Sequence, residues 1–452
     1  MRGSLRAGRT RAARLMALAA MLGAVLAVTA GCGGGGSSSG TTTSSGGSNV
    51  SGTIKFYGIW SGTEQKAFQQ VIAGFNKHYP NVKVNYQSKG NDIPTVLATS
   101  IAGGNPPDMA DVAQPGLVKQ LVTQGHLKPI TYADATINAN FTPAWANLGK
   151  VAGKSYALLY KASNKSTLWY NVHSFQTAGV QPPKTWQQLI SDAKTIKASG
   201  TPAYSLCGAH GWTLTDIFEN IYLRLYGAQK YNDLSQHMIK WTDPTVTKAL
   251  SYMKQIVGDS SNLAGGTSGA LQTGYPQCVD YVYTTPPKAA MNLQGDFASI
   301  EILQATKAKP QKDFNVVPFP AITPGPDANA VETGGDLIIT FRDNPAIEAF
   351  MKYLATPEAA EIWAKLGGFG TGNKHVPASV YPDAITRLTE APLLGASSVV
   401  FDMSDLQPAA FGATTGQGEW GLFQKFLQNP SSASSIQQQL ESAATKAYKG
   451  GK

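Results

Sequence analysis

Trp60, Trp169, Trp212, Trp363 and Trp420 each stand beside a turn or an element end, next to polar residues. Asp108, Asp216, Asp296, Asp336 and Asp405 are spread along the same chain. Sugars present apolar C–H faces and rings of hydroxyls. A site for them needs flat aromatic platforms and fixed acceptors, mostly carboxylates and amides, that take paired hydroxyl bonds. The composition supplies both. Any one tryptophan could equally be core packing. Asp108 could cap the loop after Pro106-Pro107, Asp216 and Glu219 could be acids at a helix N-terminus, and Gly295-Asp296-Phe297 could be a helix start.

Other chemistries find less support. The carboxylates could supply a glycosidase pair, but no spacing selects two of them. There is no G-x-S-x-G elbow and no H-E-x-x-H. Gly149-Lys150-Val151-Ala152-Gly153-Lys154-Ser155 imitates a phosphate loop, but it is one residue short and a strand is expected after it. A phosphate loop needs its amides at a helix N-terminus. The segment GGFGTGNK at 367–374 lacks the lysine directly after its last glycine. The six histidines are dispersed, with no pair at ligand spacing near the cysteines, so neither a metal nor another cofactor is expected.

Positioning such residues requires an ordered scaffold. Thr53 to Trp60 is β-rich. Phe68, Val71, Ile72 and Phe75 then recur at helical spacing, with Thr63 the expected N-cap. Val82, Val84 and Tyr86 alternate as a second strand, which makes a β-α-β unit with parallel strands. Further helices are expected over 93–101, 117–123 and 187–198, the last capped by Thr185. Further strands are expected over 108–112, 156–160, 168–171, 289–293, 314–318 and 337–340, with a mostly helical tail from about Asn344. Alternating elements in this order predict an α/β protein. In open α/β sheets ligands gather at the carboxyl ends of strands. Trp60-Ser61-Gly62 and Asn292 to Asp296 fall at such ends.

The chain begins with Arg2, Arg6, Arg9, Arg11 and Arg14, then an apolar run from Leu15 to Val28 and a small-residue site before Cys32. That order predicts a signal peptide over 1–31. The apolar run is shorter than the ~20 residues a membrane span needs. Ala30-Gly31-Cys32 resembles a lipobox, with Thr29 where an aliphatic residue is more usual, so Cys32 is the expected lipid anchor. An ordinary signal peptide with an incidental cysteine is the alternative. Gly33 to Ser48 contains only Gly, Ser and Thr, a flexible tether with a reach of roughly 20–25 Å. Losing the leader and its five arginines takes the formal charge from +9 to about +4. The remaining charges are interspersed, which argues against nucleic-acid binding. After export, Cys207 and Cys278 are expected to form a disulfide, with two buried free thiols as the alternative.

Several segments together carry a resemblance. They include FYGIWSGTEQKAFQQVIAGFNKHYPNVKV, STLWYNVHSFQTAGVQPPKTWQQL, NLQGDFASIEI and the run from GGDLIITF to GTGNKHVP. In this order they resemble the solute-binding lipoproteins of bacterial ABC importers, in the extracellular family that carries carbohydrates. CGAHGWTLTDIFENIYLRLYG and VVFDMSDLQPAAFG are similar to the α-glucoside-binding branch, whose paired cysteines match Cys207 and Cys278. Here Ile217 stands where that branch has an aromatic residue. The resemblance implies an α/β, two-lobe periplasmic-binding-protein fold of the class II kind, with a hinge and an inter-lobe ligand cleft. Lobe one would span 50–163 and 338–380, lobe two 164–337 and 381–449, behind a linker over 32–49. It implies a monomeric, non-enzymatic receptor, exported and lipid-anchored to the outer face of the cell membrane. Its partners would be a sugar and a permease with a cytoplasmic ATPase. The expected ligand is a neutral oligosaccharide, such as the α-glucosides trehalose, sucrose or maltose. The alternatives are a glycerophosphodiester receptor and a secreted glycoside hydrolase. Trp60 and Trp212 are the expected stacking platforms. Glu64, Asp108, Asp216, Asp296, Asp336 and Asp405 are the expected hydroxyl acceptors, with Tyr170 and Gly335 lining the cleft.

Overall fold

Strand β1 (Gly52–Gly58) alternates, and Ile54 and Phe56 turn fully inward. It leads through Trp60 into α1 (Gly62–His78), which buries Phe68, Val71, Ile72 and Phe75 on one face. The computed structural model describes residues 49–322, 330–395 and 398–450. The expected signal peptide, Cys32 and the tether up to residue 48 lie outside the described residues. No helix among the described residues is long and apolar enough to cross a membrane.

After α1 come β2 (Val82–Ser88), α2 (Ile93–Ala102), β3 (Met109–Val112) and α3 (Pro115–Thr123). β1 pairs in parallel with β2, Gly52 opposite Val82, and in parallel with β3. The β-α-β reading therefore holds. The cap does not fall where it was expected. Ser61 occupies the N-cap, and the Thr63 hydroxyl instead donates to Glu301 Oε2 at 2.7 Å.

Two long strands follow a different path from the one expected. β4 runs Ala157–Asn164, four residues past its expected end, and β8 runs Val331–Thr340, beginning six residues before its expected start. They pair antiparallel, with a register shift between Asp336 and Leu337. Between them in sequence lie β5 (Thr167–Asn171), α4 (Trp186–Ala198), α5 (Trp212–Ser235), α6 (Pro244–Val257), β6 (Met291–Leu293) and β7 (Phe314–Pro318). Thr185 caps α4 with a full capping box, as its position before Trp186 predicts. After β8 come α7 (Pro345–Leu354), α8 (Pro357–Ala364), β9 (Val399–Phe401), α9 (Met403–Leu406) and α10 (Gly418–Gln428).

The larger sheet has six strands, ordered β9-β8-β3-β1-β2, with β4 also on β8. A three-stranded sheet, β6-β5-β7, is antiparallel throughout. One hydrophobic cluster joins β1 and α1 to α7 and α8 through Phe56, Phe68, Phe350 and Trp363. Another packs α2 and α3 on the opposite face of the same sheet. The largest gathers the small sheet with α4, α5, α6 and α10. Cys207 and Cys278 are disulfide-bonded, 5.3 Å apart at Cα across 71 residues.

The phosphate-loop imitation is resolved by its backbone. Lys150–Val151 and Lys154–Ser155 pair as a tiny hairpin, turned by Ala152 and Gly153 with φ of 49° and 78°. Two central residues with positive φ make a hairpin turn that matches strand twist. No helix N-terminus follows, so the amides cannot converge on a phosphate.

Candidate functional site

A cavity of about 100 Å³ opens where several elements end. The carboxyl ends of β1 and β3 supply Ile59, Trp60, Ser61, Ala113 and Gln114, as the strand-end rule predicts. Gly90, Asn91, Ile93 and Pro94 come from the link between β2 and α2. β4 contributes alternate residues, Lys161 and Ser163, and Lys165 follows just past its end. That is the period of a pleated strand with one face turned to the cavity. β8 adds Gly335 and Asp336. A Cβ at Gly335 would lie 2.6 Å from Lys161 O, so only glycine lets the two strands approach this closely. Trp212, Tyr275, Phe297 and Trp420 form the aromatic wall, with Asp402 and Asp405 beside it.

Two buried lysines organise the charge. Lys161 Nζ lies 2.5 Å from Glu64 Oε1 and 3.8 Å from Asp336 Oδ2. Burial alone would lower its pKa, but these carboxylates outweigh it and hold the ammonium above its ordinary value. Asp336 Oδ2 also accepts Trp60 Nε1–H at 2.7 Å. Lys165 Nζ donates to Asp402 Oδ2 and to Asp216 Oδ1 at 3.2 Å, and Asp405 Oδ2 lies 4.0 Å away. Burial again opposes the charge, and Asp216, Asp402, Asp405 and Glu332 overcome it. Around Lys165 acids outnumber cations. Burial with Asp402 nearby pushes Asp216 up to about 7, burial pushes Glu332 and Asp405 well up, and Lys165 holds Asp402 below its usual value against its own burial. Asp216, Glu332 and Asp402 bring one oxygen each within 4.8 Å of one another, a spacing that suits a metal ion. Lys165 already bonds two of the three, so its ammonium takes that place.

The expected site residues divide. Trp60, Glu64, Trp212, Gly335, Asp336 and Asp405 meet at the cavity. Trp60 is only 1% exposed, its ring packed on Phe68 at 4.6 Å and Trp363 at 4.9 Å, whereas Trp212 is half-buried, its nearest rings Phe297 at 6.1 Å and Tyr275 at 6.2 Å. Asp216 stands behind the wall, bonded to Lys165. Asp296 is fully buried, accepts Asn164 N–H at 2.6 Å and faces Glu390, and it does not line the cavity. Asp108 and Tyr170 do not line it either. Asp108 precedes β3 at the amino end of the sheet, where it accepts Lys55 N–H at 2.8 Å and pairs with Arg342 Nε at 3.2 Å. Tyr170 lies within the small sheet, its ring 4.6 Å from Phe175. Sequence reasoning missed Lys161, Lys165, Tyr275, Phe297 and Asp402.

A family model for bacterial extracellular solute-binding proteins matches residues 60–361. The alpha-glucosides-binding periplasmic protein AglE of Rhizobium meliloti is 30% identical over 80% of this chain and 81% of its own. The osmoprotective compounds-binding protein GgtB of Synechocystis sp. is 29% identical over 80% of this chain and 86% of its own. The solved bacterial solute receptor AcbH, which prefers β-D-galactopyranose, superposes with a TM-score of 0.76 at 21% identity, covering 89% of this chain and 100% of AcbH. That likeness shows the fold, the α/β architecture of periplasmic solute-binding proteins. With the family match spanning well over half its length, the chain belongs to the bacterial extracellular solute-binding protein family.

Proposed function

We propose that the protein is the receptor of an ABC importer and captures a neutral sugar, an α-linked glucose disaccharide such as trehalose, sucrose or maltose. The observation that carries this reading is the cavity's charge balance: both lysines facing it are already neutralised by carboxylates, while aromatic rings and Asp405 remain beside open space. A phosphate ligand would need an uncommitted cation. A sugar needs aromatic faces and acceptors. The similarity to an alpha-glucosides-binding protein favours the α-glucoside class.

The cavity of about 100 Å³ is smaller than the ~300–1,000 Å³ of sites that enclose drug-sized ligands. A disaccharide would therefore enter as the surrounding elements part. We assign lobe one to 50–163 and 338–380 and lobe two to 164–337 and 381–449, with the β4–β5 and β8 crossings as the hinge. Trp212 stacks on the ligand, and Glu64, Asp336 and Asp405 accept its hydroxyls. Cys32 anchors the exported monomer, and the tether lets it reach a permease powered by a cytoplasmic ATPase.

The test is a tryptophan-fluorescence titration of the purified protein with glucose, trehalose, sucrose, maltose, longer maltodextrins and glycerophosphocholine. Saturation at micromolar concentration with one α-glucoside supports the reading. A response to glycerophosphocholine alone overturns the ligand, and cleavage of any sugar overturns the receptor.

A further inference from the structure

We propose that Asp111 acts as a neutral carboxylic acid and positions the Ile59–Trp60–Ser61 edge of the cavity. This rests on reading the cavity as the ligand site. Asp111 lies on β3 beneath the exit of β1 and is fully buried. Its Oδ1 accepts Ile59 N–H at 2.9 Å, the amide immediately before Trp60. Its Oδ2 is buried without a hydrogen-bond partner. No lysine or arginine forms an ion pair with it among the described residues.

The surroundings exclude charge. Asp336 of β8 and Glu64 of α1 face Asp111 with the same sign, Tyr86 of β2 lies alongside, and Lys161 of β4 opposes them as a cation. Lys161 is itself committed to Glu64. Burial and then Asp336 push the Asp111 carboxyl well above its ordinary value. An ionised carboxylate held this deep without a paired cation is costly, and such a group protonates instead.

The geometry shows what the carboxyl is for. A Cβ at Gly58 would fall 2.3 Å from Asp111 Oδ2 and 2.2 Å from the Tyr86 hydroxyl, so a glycine there is what lets both groups reach under the strand exit. Tyr86 donates to Trp60 O at 2.9 Å, and its ring stacks on Trp60 at 6.3 Å with an interplanar angle of 15°. Trp60 in turn donates to Asp336. Asp111 and Tyr86 thus hold the backbone on either side of the peptide that carries Trp60 to the cavity. Asp111 is a positioning residue, acting through Ile59 and Trp60.

A neutral acid should be replaceable by a neutral amide of the same shape, and not by an apolar isostere. The experiment compares the wild-type chain with Asp111→Asn and Asp111→Leu by hydrogen-exchange mass spectrometry of the peptide containing Ile59. Sugar titration follows at pH 5.5 and pH 8, and thermal melts check folding. The expected result is wild-type protection in the Asn variant at both pH values and at least tenfold faster exchange in the Leu variant. Sugar affinity should be kept within about twofold by Asn and weakened at least tenfold by Leu. Loss of protection in Asn equal to that in Leu would show that the charge is needed, and unchanged protection in Leu would show that nothing is positioned; either overturns the proposal. If Leu does not fold, Asn alone decides, because an ionised Asp111 predicts lost protection there. If the wild type binds no sugar, the ligand reading fails while the exchange arm still decides the role of Asp111.

Discussion

Asp216 on α5 is 5% exposed. Burial, with Asp402 adding to it, pushes its carboxyl from 3.8 up to about 7, although Lys165 lies 3.2 Å away. A carboxyl whose folded pKa exceeds its unfolded one binds its proton more tightly in the folded state. Its stabilising effect is complete below the unfolded value and is lost as pH rises through about 7. A shift of roughly three pKa units corresponds to about 4 kcal/mol between pH 4 and pH 8. Asp402 is shifted downward, so its own effect falls below the ordinary carboxylate range and outside this window. Asp216→Asn removes the titrating proton and keeps an oxygen for Lys165. The folded part of the chain is about 400 residues, with an unfolding entropy near 2.1 cal/mol/K per residue, so about 4 kcal/mol is worth about 5 °C in Tm. The assay is differential scanning calorimetry of both proteins at pH 5, 6, 7 and 8. Only about two of those three units act between pH 5 and pH 8, so the wild-type Tm should fall relative to the variant by about 3 °C across that range, steadily from pH 5 to pH 7 and levelling off above it. Parallel curves would refute the assignment of a raised pKa to Asp216. The other buried acids around Lys165 are present in both proteins and contribute to both curves.

Trp212→Ala should weaken sugar binding more than tenfold by calorimetric titration with little change in Tm, since a central aromatic anchor is commonly worth about 2 kcal/mol or more. Lys165→Met leaves Asp216, Asp402 and Asp405 facing one another without a cation. It should cost about 3–5 kcal/mol by chemical denaturation at pH 8, and visibly less at pH 5.5, where the acids take up protons. Reducing the Cys207–Cys278 bridge, which spans 71 residues, should cost about 4 kcal/mol in the chain-entropy model, read as a lower denaturation midpoint in dithiothreitol.

The parts of the fold legible in the sequence were those with a clean period. β1, α1 and β2 follow from their apolar spacing, and Trp60 follows from its place at a strand's carboxyl end. The two long strands were only half legible. KASNKST reads as a loop because Lys, Ser and Asn favour turns, yet β4 continues through Asn164 and its exposed-looking residues are buried. The readable sign was the alternation of Lys161, Ser163 and Lys165. β8 was hidden by Thr333-Gly334-Gly335, since paired glycines suggest a turn; here they let β4 come close. Asp108 was read as a hydroxyl acceptor inside its strand, whereas it stands just before Met109, at the end of the sheet away from the cavity. Tyr275, Phe297 and Asp402 reach the cavity from segments far apart in sequence, and no local pattern announces that convergence.

The two lysines explain how a buried, acid-rich wall can hold one shape. Burying an ammonium is costly, and a single ion pair repays that cost only with good geometry and further bonds. Each lysine here meets carboxylates from separate elements. Lys161 joins β4 to α1 through Glu64 and to β8 through Asp336. Lys165 joins the β4 exit to α5 through Asp216 and to α9 and its N-cap through Asp405 and Asp402. Two lysines four residues apart, one on β4 and one just past its end, therefore tie both sets of elements to the same strand. Because each ammonium is spent on the frame, neither is left to attract an anion. The rigidity of the wall follows from these contacts and, under the proposed function, so does a preference for a neutral ligand. A substitution that frees a lysine should loosen the frame before it changes what the site accepts.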